Sequence, residues 1–258
     1  MKEQIKAIFL DISGVLVNGD TPIPGAKEAI TLLRNTPLVL RIVTNTATQS
    51  SAEIIKKLAK AGFTITPDEL ITAPSAAKAY LIKKQLRPYC LIHSALKPEF
   101  SDINQQNPNA VLLGDARDDL SYDNLNQAFR LCRSGAPLIG IGLNKYFSDG
   151  ENLCLDSGMY IKGMEWATGM PAIIMGKPSQ DFFTQVVAST NFHASQCLMV
   201  GDDVESDVQG ALDSGLMACL VRTGKYQARD EDKLSSNAIV FDDIMEVVRF
   251  LVMENNII

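Results

Sequence analysis

Four short stretches of this chain carry residues whose types could do chemistry together. Asp11 closes the apolar run AIFL, where a charge is out of place unless it has a partner or a task. Thr44-Asn45-Thr46 follows LVLRIV, Gly176-Lys177-Pro178 stands ahead of QDFF, and Asp202 and Asp203, with Asp207 further on, follow CLMVG. Taken singly, each has a plain structural reason. Asp11 caps a turn loosened by Gly14, Thr44-Asn45 makes a turn, the later aspartates cap a helix and line its first turn, and Lys177 is a surface lysine. Taken together they comprise a carboxylate nucleophile, carboxylates suited to a hard divalent cation, hydroxyl and amide donors, and a fixed positive charge. That set answers the difficulty of attacking phosphorus, whose negative oxygens repel a nucleophile until they are screened.

Four distant stretches share one site only if the elements around them deliver them to one place. KAIFLD reads as a buried strand, and Pro24 opens a helix with Ala26, Ile30 and Leu33 on its apolar face. LVLRIVT, residues 38–44, is a second strand. Ser50-Ser51-Ala52-Glu53 is a capping box ahead of Ile54, Leu58 and Ala61, a run that stops at Gly62, and Thr66-Pro67-Asp68-Glu69 repeats the capping logic. The alternation resumes with CLMVG, a helical segment through Val208, Ala211 and Leu212 ending near Gly215, the strand MACLV, and a last helix from about Asp243 with Ile244, Val247, Val248 and Leu251 on one face. Strand alternating with helix predicts an α/β fold with a doubly wound parallel sheet, whose carboxyl edge would collect all four stretches. Between the halves lie further strands (YCLIH, AVLLG, PLIGIG) and helices (75–86, 122–134, 159–167), enough for a second α/β domain over residues 73–171, inserted into a core of residues 1–72 and 172–258.

Composition narrows the alternatives. Apolar residues at 46% and charged ones at 21% are those of a folded globular chain. A net charge of -6 with no basic block argues against nucleic acid as a partner. The only early apolar run is short and interrupted by Asp11, so neither a signal peptide nor a membrane span is expected, and the protein is expected in the cytoplasm. Cys90, Cys132, Cys154, Cys197 and Cys219 are scattered and lack a CxxC pair, which predicts buried thiols rather than disulfides or a zinc site. His93 and His193 show no HExxH spacing, and no GxxxxGK or GxGxxG follows a strand, so a zinc protease and a nucleotide-binding fold are both disfavoured.

With DISGVL, IVTNTATQS, MGKPSQDFF, MVGDDVESDVQGA and VRTGKY in this order, the chain resembles the haloacid dehalogenase (HAD) superfamily of aspartate-nucleophile phosphatases. It is most similar to the branch with a cap inserted between the second and third segments, subfamily IIA with a C2-type cap. The likeness runs through the insert in LRPYCLIH, NPNAVLLGDA and NQAFRL. The resemblance implies a Rossmann-like core, an aspartyl-phosphate intermediate on Asp11, and Mg2+ held by Asp11, Asp202 and the main-chain carbonyl of Ser13. It also implies phosphate contacts along Asp11-Ile12-Ser13, Thr44-Asn45-Thr46 and Lys177. Asp203 and Asp207 are expected outside the metal's direct ligands, completing its surroundings or orienting Lys177.

One departure matters. Most phosphatases of this superfamily carry a second aspartate two residues after the nucleophile as general acid and base, and Ser13 stands there instead. A serine hydroxyl does not titrate near neutral pH, so leaving-group protonation suffers. Phosphoramidates and pyrophosphate depend less on that proton, and the resemblance implies phospholysine, phosphohistidine and pyrophosphate as the expected small phosphorylated substrates. The rival expectation is a catalytically weak relative that binds phosphate or a phosphoprotein without efficient turnover. The insert is expected to act as a lid, with leaving-group contacts around Asn144-Lys145-Tyr146 and Asp156 to Lys162, and a homodimer through it is compatible with the sequence. Met159, Met164, Trp166 and Met170 are expected in the core or at a domain interface.

Overall fold

The computed structural model describes residues 4–149 and 152–254. The chain divides into two compact units, residues 1–44, 51–71 and 177–258 forming one and residues 45–50 and 72–176 the other. Each is an α/β layer structure.

The first unit starts with β1 (Ala7–Asp11), buried at all five positions, as a strand covered on both faces must be. A small hairpin, β2 (Val17–Asn18) and β3 (Thr21–Pro22), leads to α1 (Ala26–Arg34). Then come β4 (Val39–Thr44), α2 (Ser51–Lys60) and β5 (Leu70–Thr72). Thr66 and Glu69 do make their capping contact, Thr66 N–H donating to Glu69 Oε2 at 2.8 Å, but it closes only the 3-10 turn Pro67–Glu69 and no helix follows.

The second unit opens with α3 (Ala73–Lys83) and then β6 (Pro88–Leu91), β7 (Ala110–Leu113), α4 (Tyr122–Arg133) and β8 (Leu138–Gly140). The antiparallel hairpin β9 (Tyr146–Asp149) and β10 (Asn152–Leu155), α5 (Gly158–Thr168) and β11 (Ile173–Ile174) complete it. Its sheet runs β11-β8-β7-β6, all neighbours parallel, over a core that includes Val111, Leu113, Ala128, Cys132, Ile161, Met164 and Ile174. Pro171 reads in sequence as the end of this unit, yet Ile173 and Ile174 pair with Ile139 and Gly140, so the division falls at residue 177 instead. Residues 45–50, expected with the core, also group here. Of the four large side chains expected in a core or interface, only Met164 is buried. Met159 and Trp166 are exposed because α5 turns chiefly Ile161 and Met164 inward, and Met170, past the end of α5, is exposed as well.

The chain returns to the first unit through α6 (Gln180–Ala188), β12 (Cys197–Gly201), a π-helical turn at Val204–Gln209 running into α7 (Gly210–Asp213), β13 (Met217–Val221), β14 (Ile239–Phe241) and α8 (Ile244–Glu254). The main sheet runs β14-β13-β12-β1-β4-β5. Ile8 and Leu10 face a core that contains Ile30 and Leu33 of α1 and Val247, Val248 and Leu251 of α8. Strand order reverses between β1 and β12, and the crevice outside the strand ends at such a reversal is where open α/β sheets bind ligands. Registers Leu10↔Val200 and Asp11↔Val43 bring Asp11, Thr44 and Asp202 to that edge together. Cys132, Cys197 and Cys219 are buried and all five cysteines are free thiols. No helix among the described residues is long and apolar enough to cross a membrane.

Candidate active site

Asp11 is the last residue of β1, so its backbone still belongs to the sheet while its side chain leaves the apolar layer. Oδ1 of Asp11 accepts from Lys177 Nζ at 2.6 Å, and the same ammonium lies 2.5 Å from Oδ1 of Asp207. All three side chains are nearly inaccessible, a surprising place for a lysine that sequence alone would put on the surface. Asp207 reaches inward because Asp203 caps a π-helical turn, accepting from the N–H groups of Glu205 and Ser206 at 3.1 and 2.9 Å. The wider turn carries Asp207 into the interior, whereas a regular first helical turn would leave it solvated.

Asp202 follows β12 and is also buried. Its Oδ2 accepts from the Lys225 N–H at 2.7 Å. Carboxylate oxygens of Asp11, Asp202 and Asp207 lie within 4.8 Å of one another. Asp203 turns aside, its Oδ2 3.3 Å from Lys225 Nζ. Ser13 is exposed and bridges to Val17, and Ile12 and Gly14 beside it are buried. Thr44 is buried at the end of β4, while Asn45 and Thr46, expected to share its task, group with the second unit.

The electrostatics follow from burial. Desolvation raises the Asp11 carboxyl above its usual range against the opposing pull of Lys177, and lifts Asp207 to about 6. Burial likewise raises Asp202 despite the Lys225 N–H. For Asp203, burial is outweighed by the Ser206 N–H and Lys225, which hold it below the ordinary value. Burial pulls the Lys177 ammonium downward, but the Asp11 and Asp207 charges and their hydrogen bonds overcome it and hold the group above the usual lysine value. Three buried carboxylates thus meet one buried ammonium, leaving an excess of negative charge on oxygen atoms close enough to converge on a single point. A hard divalent cation that prefers oxygen ligands fits this donor set. Asp207, expected outside the direct ligands, brings an oxygen to the same cluster while serving Lys177.

In the second unit, the two stretches expected to touch a leaving group meet each other. Asp156 N–H donates to the Lys145 carbonyl at 3.2 Å and Gly158 N–H to the Asn144 carbonyl at 3.2 Å. Asn144, Lys145 and Tyr146 are exposed.

Sequence reasoning assigned no role to Thr223, Gly224 and Lys225, although VRTGKY follows β13 at the same sheet edge as Asp11 and Asp202. Position at a parallel strand's carboxyl end was the available signal.

Residues 8–106 match the family described as haloacid dehalogenase-like hydrolase, and residues 174–247 one described as HAD-hydrolase-like. Haloacid dehalogenase-like hydrolase domain-containing protein 2 of Homo sapiens is 40% identical, over 90% of this chain and 89% of that protein. Phospholysine phosphohistidine inorganic pyrophosphate phosphatase of Homo sapiens is 39% identical, over 96% of this chain and 94% of that protein. Among solved structures, glycerol phosphate phosphatase from Mycobacterium tuberculosis in complex with magnesium superposes with a TM-score of 0.78 at 26% identity, over 93% of this chain and 76% of that one. The chain belongs to the haloacid dehalogenase-like hydrolase family.

Proposed function

We propose that this HAD-family phosphatase hydrolyses small phosphorylated compounds through an aspartyl-phosphate on Asp11, with Mg2+ held by Asp11, Asp202 and the Ser13 carbonyl. The observation that carries the reading is the buried Lys177 ammonium lying between Asp11 and Asp207 at 2.6 and 2.5 Å, beside the Asp202 carboxylate. When bound, the cation screens the phosphoryl oxygens and draws them towards the carboxylates.

The remaining work falls to side chains. Lys177 keeps Asp11 ionised and offers positive charge where the phosphoryl oxygens gather, with Thr44 as a further donor and Asn45 and Thr46 as candidates. A carboxylate oxygen of Asp11 attacks phosphorus as the bond to the leaving group breaks, and that bond's electron pair departs with the leaving atom. Water then hydrolyses the acyl phosphate, releasing inorganic phosphate and restoring Asp11. Asp207 holds Lys177 in place from its other side.

Ser13 offers no proton at neutral pH, which favours substrates whose leaving group needs little help. The name of the 39% identical relative points to phospholysine, phosphohistidine and pyrophosphate, and these are the substrates proposed here. Phosphate release from a panel of phosphoramidates, pyrophosphate, aryl esters and alkyl esters, with and without Mg2+, tests the reading. Wild-type release that requires Mg2+ and is lost in Asp11→Asn is expected. Equal release from both proteins overturns it, and tight phosphate binding without turnover favours the alternative of a binding relative.

A further inference from the structure

We propose that Thr223-Gly224-Lys225 is a positioning clip that sets Asp202 for the cation and locks it to the turn carrying Ser13. The proposal rests on the metal-dependent reading above. Three contacts define the clip. The Thr223 hydroxyl donates to the Gly14 carbonyl, joining the loop after β13 to the turn after β1 across 209 positions of sequence. The Lys225 N–H donates to Asp202 Oδ2 at 2.7 Å. Gly224, at φ +65°, passes so close that a Cβ there would lie 2.1 Å from Asp202 Oδ2 and 2.4 Å from Gly14 Cα.

Gly14 closes the arrangement from the opposite side. At φ +82° its own Cβ would fall 2.0 Å from Asp202 Oδ2, so the carboxylate sits between two glycine backbones that no side chain could replace. Packing and the Lys225 N–H fix the rotation of Asp202. Thr223 fixes where residue 14 stands, and with it the adjoining Ser13 carbonyl. These three residues need not touch substrate. A metal ligand held by a network of neighbours binds its ion more tightly than one free to rotate, and losing such a neighbour typically weakens affinity about 10–100-fold.

The test is calorimetric titration of the full chain with Mg2+, paired with electron paramagnetic resonance of bound Mn2+ to report the ion's surroundings. Thr223→Val removes the hydroxyl with little change of shape, and Thr223→Ala replaces it if that variant does not fold. The expected result is a loss of affinity of about 10–100-fold, a changed Mn2+ spectrum, and recovery in Thr223→Ser. Gly224→Ala drives a methyl into Asp202 and is expected to bind no more tightly than Thr223→Val. Thr223→Val and Gly224→Ala affinities within about twofold of wild type overturn the clip alone, as does Thr223→Ser binding as weakly as Thr223→Val. A wild-type chain that binds no Mg2+ overturns the metal reading itself, and the clip with it.

Discussion

Nζ of Lys177 lies 2.6 Å from Oδ1 of Asp11, a residue 166 positions earlier in the chain, and both side chains are buried. Such a pair is costly to desolvate and adds little net stability compared with apolar packing. Its presence at the carboxyl edge of the sheet, at the point where strand order reverses, is accounted for by chemistry rather than by folding. Asp207 makes the arrangement still less economical as mere structure, since it adds a second buried carboxylate to the same ammonium.

Lys177→Met should lower turnover about a hundred- to a thousandfold, because it removes a charge aimed at the phosphoryl oxygens. The same change relieves a buried ammonium of its desolvation but leaves two carboxylates facing each other. Steady-state kinetics on pyrophosphate checks the first effect. A metal-free protein that folds less stably while Mg2+ restores the difference checks the second.

The pH dependence of metal binding has a definite sign. Burial raises Asp207 from an ordinary carboxyl value to about 6, so between those values the folded protein holds more proton than the unfolded chain. The contribution of this group to metal-free stability is therefore present at low pH and lost as pH rises towards about 6. A proton on Asp207 removes negative charge from the oxygen cluster it shares with Asp11 and Asp202, so Mg2+ affinity should climb as pH rises to about 6 and level off above it. Calorimetry in buffers of different ionisation heat should detect proton release near pH ~5 and little near pH ~8.

Ser13→Asp should raise hydrolysis of alkyl phosphate esters relative to aryl esters. Alkoxide leaving groups need a proton most, and the new carboxyl group supplies one. Ser13 is exposed, so the change places no charge in the interior. The ratio of kcat/KM for the two ester classes is the measurement, and an unchanged ratio would mean that protonation is not what limits the wild type.

Gly201→Ala tests how tightly the site is built. A Cβ at residue 201 would lie 2.2 Å from both Cβ and Oδ2 of Asp207 and 2.3 Å from its Cγ, inside the space of that buried side chain. Overpacking of this kind costs about 1–3 kcal/mol. Chemical denaturation should show that loss, and displacement of Asp207 should lower turnover with it.

Much of this fold is legible in the chain, and the reasons differ by element. AIFLD is legible because an uninterrupted apolar run ended by a carboxylate suits a buried strand and little else, and β1 is buried throughout. Convergence of Asp11, Lys177 and Asp202 follows from alternation of strand and helix alone. The hairpin of β9 and β10 is not legible, since YFSD and NLCL lack the continuous apolar run of a buried strand, and Leu153 and Leu155 are exposed. Ile173–Ile174 falls on the wrong side of the expected boundary because two residues carry no periodicity. The inward turn of Asp207 depends on a π-helical geometry that its spacing from Asp203 does not announce. VRTGKY stands out at the end of a strand, but the contact of Thr223 does not, because a hydroxyl donating to a carbonyl 209 positions away leaves no local spacing to read.

The central claim is that Asp11 becomes phosphorylated. The most direct measurement is rapid quenching of the enzyme during turnover of a phosphoramidate with Mg2+ present, followed by mass spectrometry of the peptide spanning Asp11. One hydroxylamine-labile phosphoryl group on Asp11, absent from Asp11→Asn, is the predicted result. Turnover that proceeds with no phosphoryl group on Asp11 at any time point, together with an active Asp11→Asn protein, would contradict the account.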